Sequence, residues 1–390
     1  MRNFIKMQTI LRSLLLSTML LLIAACGDAD NTEPPAELVE FEPSLQIERL
    51  WQVNTGGGAG QLYLKLSPLI TGDKIFVTDR HGEVTAYERE TGKQIWSTEL
   101  DMQVSGGVGG DDAHLVVTGT NGHVVLLDAS GNIVWTVDVS SEVLMPANIV
   151  ADLVVIRSVD GRISALRLKD GSEQWTFKRD VPALSLRGNS LPIITQGYIF
   201  AGLDNGRLVT LDLLSGKTIF DIAIAAPSGR SELERLVDID GHSVIDNETL
   251  YMASYQGKLI SLDIRRGQLN WSRPFSSYSG VELASSTLYS TDERDHIWAL
   301  DASNGATLWK QDKLQARRLT RPVAMGNTLL VADFEGYLHW LSPFDGRFLA
   351  RVQADADGVI VAPQMHDDIA YVLSRDGELA AYRIKEMPNN

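Results

Sequence analysis

The chain has 390 residues, of which 44% are hydrophobic and 22% charged, so it can bury a large core and is neither disordered nor collagen-like in composition. Its net charge of −15 argues against a nucleic-acid surface, which needs a basic stripe to displace counterions. The single cysteine, Cys26, excludes an internal disulfide, a haem attachment pair and a Cys-built zinc site.

Residues 1–25 read as an export signal. Arg2, Lys6 and Arg12 make a basic start, and the apolar run from Leu14 to Ile23 is too short for the ~20 residues of a spanning helix. Ile23-Ala24-Ala25-Cys26 resembles the bacterial lipobox, which implies cleavage before Cys26 and lipidation of its sulfur. The alternative is a simple secretory cleavage site that happens to contain a cysteine. Several acyl chains give a stable anchor where one would be marginal. In lipoprotein sorting, Asp directly after the cysteine favours the inner membrane. Gly27 stands there instead, so the expected location is the outer membrane, facing the periplasm. Residues 26–45 carry Pro34, Pro35 and Pro43 and many acidic residues, and read as a flexible, extended tether.

From residue 46 to 385 one pattern recurs: a β-branched or aromatic strand, a turn ending in Gly, an alternating strand, a second Gly turn, then Trp. The first copies are Gly82-Glu-Val-Thr-Ala-Tyr with Gly92 and Trp96, Gly122-His-Val-Val-Leu-Leu-Asp with Gly131 and Trp135, and Gly161-Arg-Ile-Ser-Ala-Leu with Gly171 and Trp175. Gly206-Arg-Leu-Val-Thr-Leu-Asp with Gly216 and Phe220, and Gly257-Lys-Leu-Ile-Ser-Leu-Asp with Gly267 and Trp271, come next. The series ends with Asp295-His-Ile-Trp-Ala-Leu-Asp, Gly336-Tyr-Leu-His-Trp-Leu and Gly377-Glu-Leu-Ala-Ala-Tyr. About four strands in roughly 40 residues is the signature of a propeller blade. The last copy lacks its Trp strand, while Trp51 precedes the first copy with nothing of its own to complete. The expected fold is therefore all-β: one eight-bladed β-propeller of four-stranded antiparallel blades, closed by the N-terminal strand, with 386–390 as a tail. Seven blades remain an alternative if the copy with Ala350 or Arg351 at the Trp position is a degenerate insertion.

The repeat resembles the tryptophan-docking repeat of quinoprotein dehydrogenases. Alcohol-type members of that family hold pyrroloquinoline quinone against adjacent cysteines, which this chain lacks. An Asp ending the third strand recurs blade after blade, as turn capping predicts and a unique active site does not. The seven histidines are scattered without ligand spacing, and no Gly-x-Ser-x-Gly elbow or phosphate loop is present. No catalytic residue, metal or cofactor is therefore expected.

Successive first turns are separated by 40, 39, 45, 51, 38, 41 and 41 residues, which places the extra length around the fourth copy. One insertion contains Val181-Pro-Ala-Leu-Ser-Leu-Arg-Gly188, the other Ser231-Glu-Leu-Glu-Arg-Leu-Val-Asp-Ile-Asp240. Ser231 and Glu234 have capping-box spacing, so a short helix is expected there. Two readings stand for Leu184, Leu186, Arg187, Asp238 and Asp240. Either they form a small protein-binding patch with a charged rim, or the leucines pack the insertion onto its own blade while the aspartates cap turns.

The lipobox, the eight repeats and the Pro-Ala-Leu-Ser-Leu-Arg-Gly and Glu-Arg-Leu-Val-Asp-Ile-Asp segments together resemble the BamB family, lipoproteins of the outer-membrane β-barrel assembly (BAM) machinery. The resemblance covers residues 26–384. It implies a non-enzymatic scaffold that binds the periplasmic POTRA region of BamA, and through it the other BAM subunits, in support of outer-membrane protein folding and insertion. By the same resemblance Leu184, Leu186, Arg187, Asp238 and Asp240 contact BamA. Exposed blade edges would also allow strand addition by unfolded outer-membrane protein clients. The competing readings are a periplasmic quinoprotein-like dehydrogenase and a peptide- or polysaccharide-binding propeller that uses its central funnel.

Overall fold

The computed structural model describes residues 33–60, 62–186, 188 and 190–385. Cys26, the signal segment 1–25, the tail 386–390 and Arg187 lie outside the described residues. The chain divides into two units, 1–35 and 36–390, and the second holds the whole ring.

Thirty-two strands and no helix occur among the described residues. They form eight four-stranded sheets, in each of which neighbouring strands pair antiparallel. The first blade runs through Leu69–Thr71, Lys74–Thr78, Glu83–Glu88 and Gln94–Glu99, from innermost to outermost strand. Later blades repeat this order at 104–138, 148–178, 193–223, 244–275, 281–311 and 323–353. The eighth joins Gln364–His366, Ile369–Leu373 and Glu378–Lys385 to Gln46–Asn54 from the other end of the chain. Eight is thus the blade number, and the seventh copy is a full blade.

The two middle strands of each blade are almost wholly buried because neighbouring sheets cover both faces. The β-branched run His114–Gly119 packs between the first blade and the third. The outermost strands alternate instead, as in Gln94–Glu99, because one of their faces meets solvent.

Where it occurs, the recurrent Trp ties its blade to the next; Phe220 in the fourth blade and Ala350 in the seventh take its position. Trp96 Nε1 donates to the Ala129 carbonyl at 3.1 Å, Trp135 Nε1 to Leu168 at 2.8 Å, and Trp175 Nε1 to Leu213 at 2.9 Å, each in the following blade. Trp51 closes the circle by donating to the Arg89 carbonyl at 3.1 Å. Beneath each ring lies the second glycine of the next repeat, where a Cβ would sit 2.5 Å from Trp175 at Gly216 and 2.7 Å from Trp96 at Gly131. These glycines also have positive φ, +67° and +84°, so the residue type is fixed twice over, by backbone and by ring. Gly216→Ala is expected to cost about 1–3 kcal/mol, read as a lower denaturant midpoint; an unchanged midpoint would show that the ring moves aside freely.

A β-bulge accompanies the Trp. Register shifts between Ala86 and Tyr87 opposite Trp96, and between Leu126 and Leu127 opposite Trp135, so Ile95 and Val134 are the unpaired residues. The same irregularity falls between Arg49 and Trp51 in the eighth blade, which identifies Gln46–Asn54 as a true fourth strand. In the seventh blade it places Ala350 opposite Trp340, at the Trp position.

Residues 36–45, read from composition as part of a free tether, are extended but held along that seventh blade. The Ala36 N–H donates to the Gln315 carbonyl at 2.9 Å, and the Arg317 and Arg351 guanidiniums donate to the carbonyls of Ala36 and Val39 at 3.0 Å each. Phe41 stacks on Phe348 with ring centroids 5.4 Å apart, and Leu38 and Leu45 join the neighbouring cores. The propeller unit therefore begins at Ala36 rather than at residue 46. The physical reason is local. Between blades seven and eight there is no Trp to dock, and the eighth blade has no third turn to receive one, so this segment fills the place.

Candidate protein-binding site

Aspartates that end the third strands behave as turn caps. Asp128 accepts the N–H groups of Ser130 and Asn132, Asp263 those of Arg265 and Arg266, and Asp301 that of Ser303. Side-chain hydrogen bonds from Asn132 to Asp128 and from Ser303 to Asp301, together with these backbone N–H groups, hold the three carboxyls below the usual carboxylate range.

The two lengthened connections depart from this plan. Both run from an outermost strand to the innermost strand of the next blade, 179–192 between blades three and four and 224–243 between blades four and five, and therefore share one face of the ring. Asp238 joins them: its carboxylate accepts the Leu186 N–H, while its backbone carbonyl accepts the Tyr255 N–H at 2.8 Å. Gly188 lies over Asp240, where a Cβ would come within 3.0 Å of Oδ2. Above this latch Leu184 is 44% exposed and Leu186 half-buried, with Val181 and Leu233 also exposed.

The aspartates are not the solvent-facing rim that the patch reading gives them. Asp238 has no exposed surface and Asp240 is 7% exposed. They sit in a buried charge cluster with Asp204, whose ion pair with Arg157 is itself buried; Arg157 also donates to Ser190 Oγ at 3.2 Å. Burial pushes the Asp238 carboxyl up to about 7, against the Leu186 N–H bond, with Asp204 adding to the rise. Burial raises Asp240 well above the ordinary value too, and Arg157 opposes it. Leu184 is exposed at the surface, Leu186 is half-buried beside it, and Asp238 caps the loop that carries both.

The capping box of the second insertion forms, with the Ser231 N–H donating to Glu234 Oε2 and the Glu234 N–H to Ser231 Oγ, both at 3.2 Å. No helix follows it. One turn fixes several dihedrals for little return, and Leu236–Asp240 are drawn into the core in extended form. Two apolar residues of the surface, Val181 and Leu233, escaped the sequence reading. Their signal was present: each lies in a stretch that departs from the repeat.

The fold and its repeat define a class, the eight-bladed β-propeller built from tryptophan-docking, PQQ-like repeats. Within it, the family model of outer membrane protein assembly factor BamB matches residues 46–106, 80–311 and 301–386. An outer membrane protein assembly factor BamB from Pseudomonas aeruginosa is 37% identical over 369 residues, covering 94% of this chain and 97% of its own. The Yersinia pestis protein of the same name is 34% identical over 379 residues, covering 93% and 96%. Among solved structures, BamB from Moraxella catarrhalis superposes with a TM-score of 0.80 at 25% identity, covering 87% of this chain and all of its own. Quinohemoprotein alcohol dehydrogenase from Comamonas testosteroni reaches 0.69 at 13% identity, a likeness of fold alone. The chain belongs to the family of the outer membrane protein assembly factor BamB.

Proposed function

We propose that this chain is a non-enzymatic scaffold, lipid-anchored through Cys26 at the periplasmic face of the outer membrane, that binds the periplasmic POTRA region of BamA within the barrel-assembly machinery. The observation that carries the reading is the junction of the two lengthened loops. They are latched by the Leu186 N–H bond to Asp238 and display Leu184, Val181 and Leu233 to solvent on an otherwise repetitive ring. Exposed apolar residues on a fixed loop are suited to anchor a partner, and Arg187, next in sequence to Leu186, would supply a charge-assisted bond to a carboxylate or carbonyl. Asp238 and Asp240 would act from beneath, as positioning residues for the loop.

The test is co-purification. Leu184→Asp with Leu186→Asp is expected to reduce recovery of BamA by about tenfold or more, because two apolar anchors become charges that must be desolvated, while the circular-dichroism spectrum stays unchanged. Undiminished recovery would overturn the assignment of this face.

A further inference from the structure

A third long connection lies on the face that carries the two lengthened loops. Residues 55–68 run from the outermost strand of the eighth blade, Gln46–Asn54, to the innermost of the first, Leu69–Thr71, and match 179–192 in number. They precede the first repeat copy, so the spacing between first turns does not register them. The connection is pinned on both sides. The Thr55 N–H donates to the Gly377 carbonyl and the Ala59 N–H to that of Arg375, both at 2.8 Å, while Leu64 and Leu66 are buried in the core of the first two blades. Between these anchors Leu62 and Tyr63 stand out from the surface, Tyr63 with 60% of its area exposed.

Tyr63 also lines a cavity of about 250 Å³. Nearly every connection between blades contributes to its wall, so it lies at the centre of the ring. Leu191 reaches it from the first lengthened loop and His242 from the second, which makes the three connections one continuous surface. The wall is mainly apolar, with Tyr278 and Ile360 beside Tyr63 and Leu191. An apolar cavity of about 150 Å³ holds a benzene ring, so this one has room for the side chain of Phe or Leu. Lys65 lines it too, half-buried, with no hydrogen bond or ion pair among the described residues. The other charged groups of the wall are spent or out of reach: Arg321 is ion-paired with Glu282, the Asp240 carboxylate oxygens are buried, and burial holds His242 down to about 3, so its ring is neutral. Burial likewise raises the Tyr63 phenol and lowers the Lys65 ammonium from their ordinary values, as expected for side chains that protein encloses in a concave wall while solvent still reaches them.

We propose that the protein partner held by the two lengthened loops extends to the centre of the ring, where it seats one large apolar side chain against Tyr63, Tyr278 and Leu191, and a neighbouring carboxylate on the Lys65 ammonium. The inference rests on the assignment of this face to BamA. A small apolar molecule would fill the cavity yet leave Leu62 uncovered, whereas a protein surface that already covers Leu184 can cover both. An aromatic side chain on a pinned loop loses little freedom on contact, and an enclosed ammonium without a partner favours an acidic group over a neutral one.

The experiment is photocrosslinking in living cells from an aromatic photoreactive residue at position 63, in parallel with position 184. Position 63 is expected to give a BamA adduct, as 184 does. Tyr63→Ala and Lys65→Glu are each expected to lower recovery of BamA on co-purification by about fivefold or more with an unchanged circular-dichroism spectrum, and Lys65→Arg, which keeps the charge, should recover BamA as the wild type does. A BamA adduct from 184 but none from 63 would overturn the central seat and leave the lengthened loops as the site, whereas no BamA adduct from either position would overturn both assignments. An adduct from 63 with a second copy of this chain in place of BamA, or undiminished recovery of BamA by both Tyr63→Ala and Lys65→Glu, would also overturn the proposal. Crosslinking keeps an aromatic ring at position 63, so the test stands even where Lys65→Glu unfolds the chain.

Discussion

Replacing Asp238 by alanine is expected to weaken binding of the BamA periplasmic region by about tenfold or more while the propeller stays folded. The reason lies in the latch. The Asp238 carboxylate is the acceptor for the Leu186 N–H, and a hydrogen bond to a charged group contributes about 1.5–3 kcal/mol, enough to fix the loop that displays Leu184 and Leu186. Asp238→Asn keeps an acceptor oxygen in the same place and should bind nearly as well as the wild type. Equal loss in both variants would mean that charge, not loop position, matters. The same pair separates a pH effect. The Asp238 carboxyl titrates at about 7 in the folded chain, well above an unfolded aspartate, so the folded state holds its proton more tightly. The resulting stabilisation is complete below about pH 4 and is lost as pH rises through 7, a difference on the order of 2–4 kcal/mol. Thermal unfolding between pH 5 and 8 should therefore fall more steeply for the wild type than for Asp238→Asn. Parallel slopes would place the proton elsewhere.

Removing Gln46–Asn54 is expected to abolish cooperative unfolding altogether. This strand is the outer strand of the eighth blade and pairs along Glu378–Lys385, so its loss opens the ring at one blade and exposes a sheet edge. It also removes Trp51, which packs against Tyr371 with centroids 6.0 Å apart and covers Gly92 of the first blade. Trp51→Ala alone should cost about 2–4 kcal/mol, somewhat under a fully buried Trp because the ring is only partly covered. A deletion variant that melts at the wild-type temperature would show that the eighth blade closes without its N-terminal strand.

The architecture was legible because the same physical demand recurs in blade after blade. A glycine under a tryptophan ring is both a backbone and a packing requirement, so Gly92, Gly131, Gly171 and Gly216 mark blades as plainly as the tryptophans do. Closure followed from one surplus Trp at the start and one missing at the end. The tether was less legible: its prolines and acidic residues suggested a free chain, whereas Leu38, Phe41 and Leu45 dock it on the seventh blade and its neighbours. For the site, the excess spacing located the surface, but burial of Asp238 and Asp240 was beyond reach. Nothing local distinguishes a carboxylate at a rim from one beneath a loop, since the difference is made by Arg157 and Asp204 in other blades.

The most direct test is photocrosslinking in living cells from a photoreactive residue at position 184, with the adduct identified by mass spectrometry. Leu184 is exposed on the latched loop, so the expected product is an adduct with BamA that disappears when Asp238→Ala is introduced. A folded protein at the outer membrane that gives no BamA adduct from position 184, yet gives one from the opposite face of the ring, would contradict the assignment.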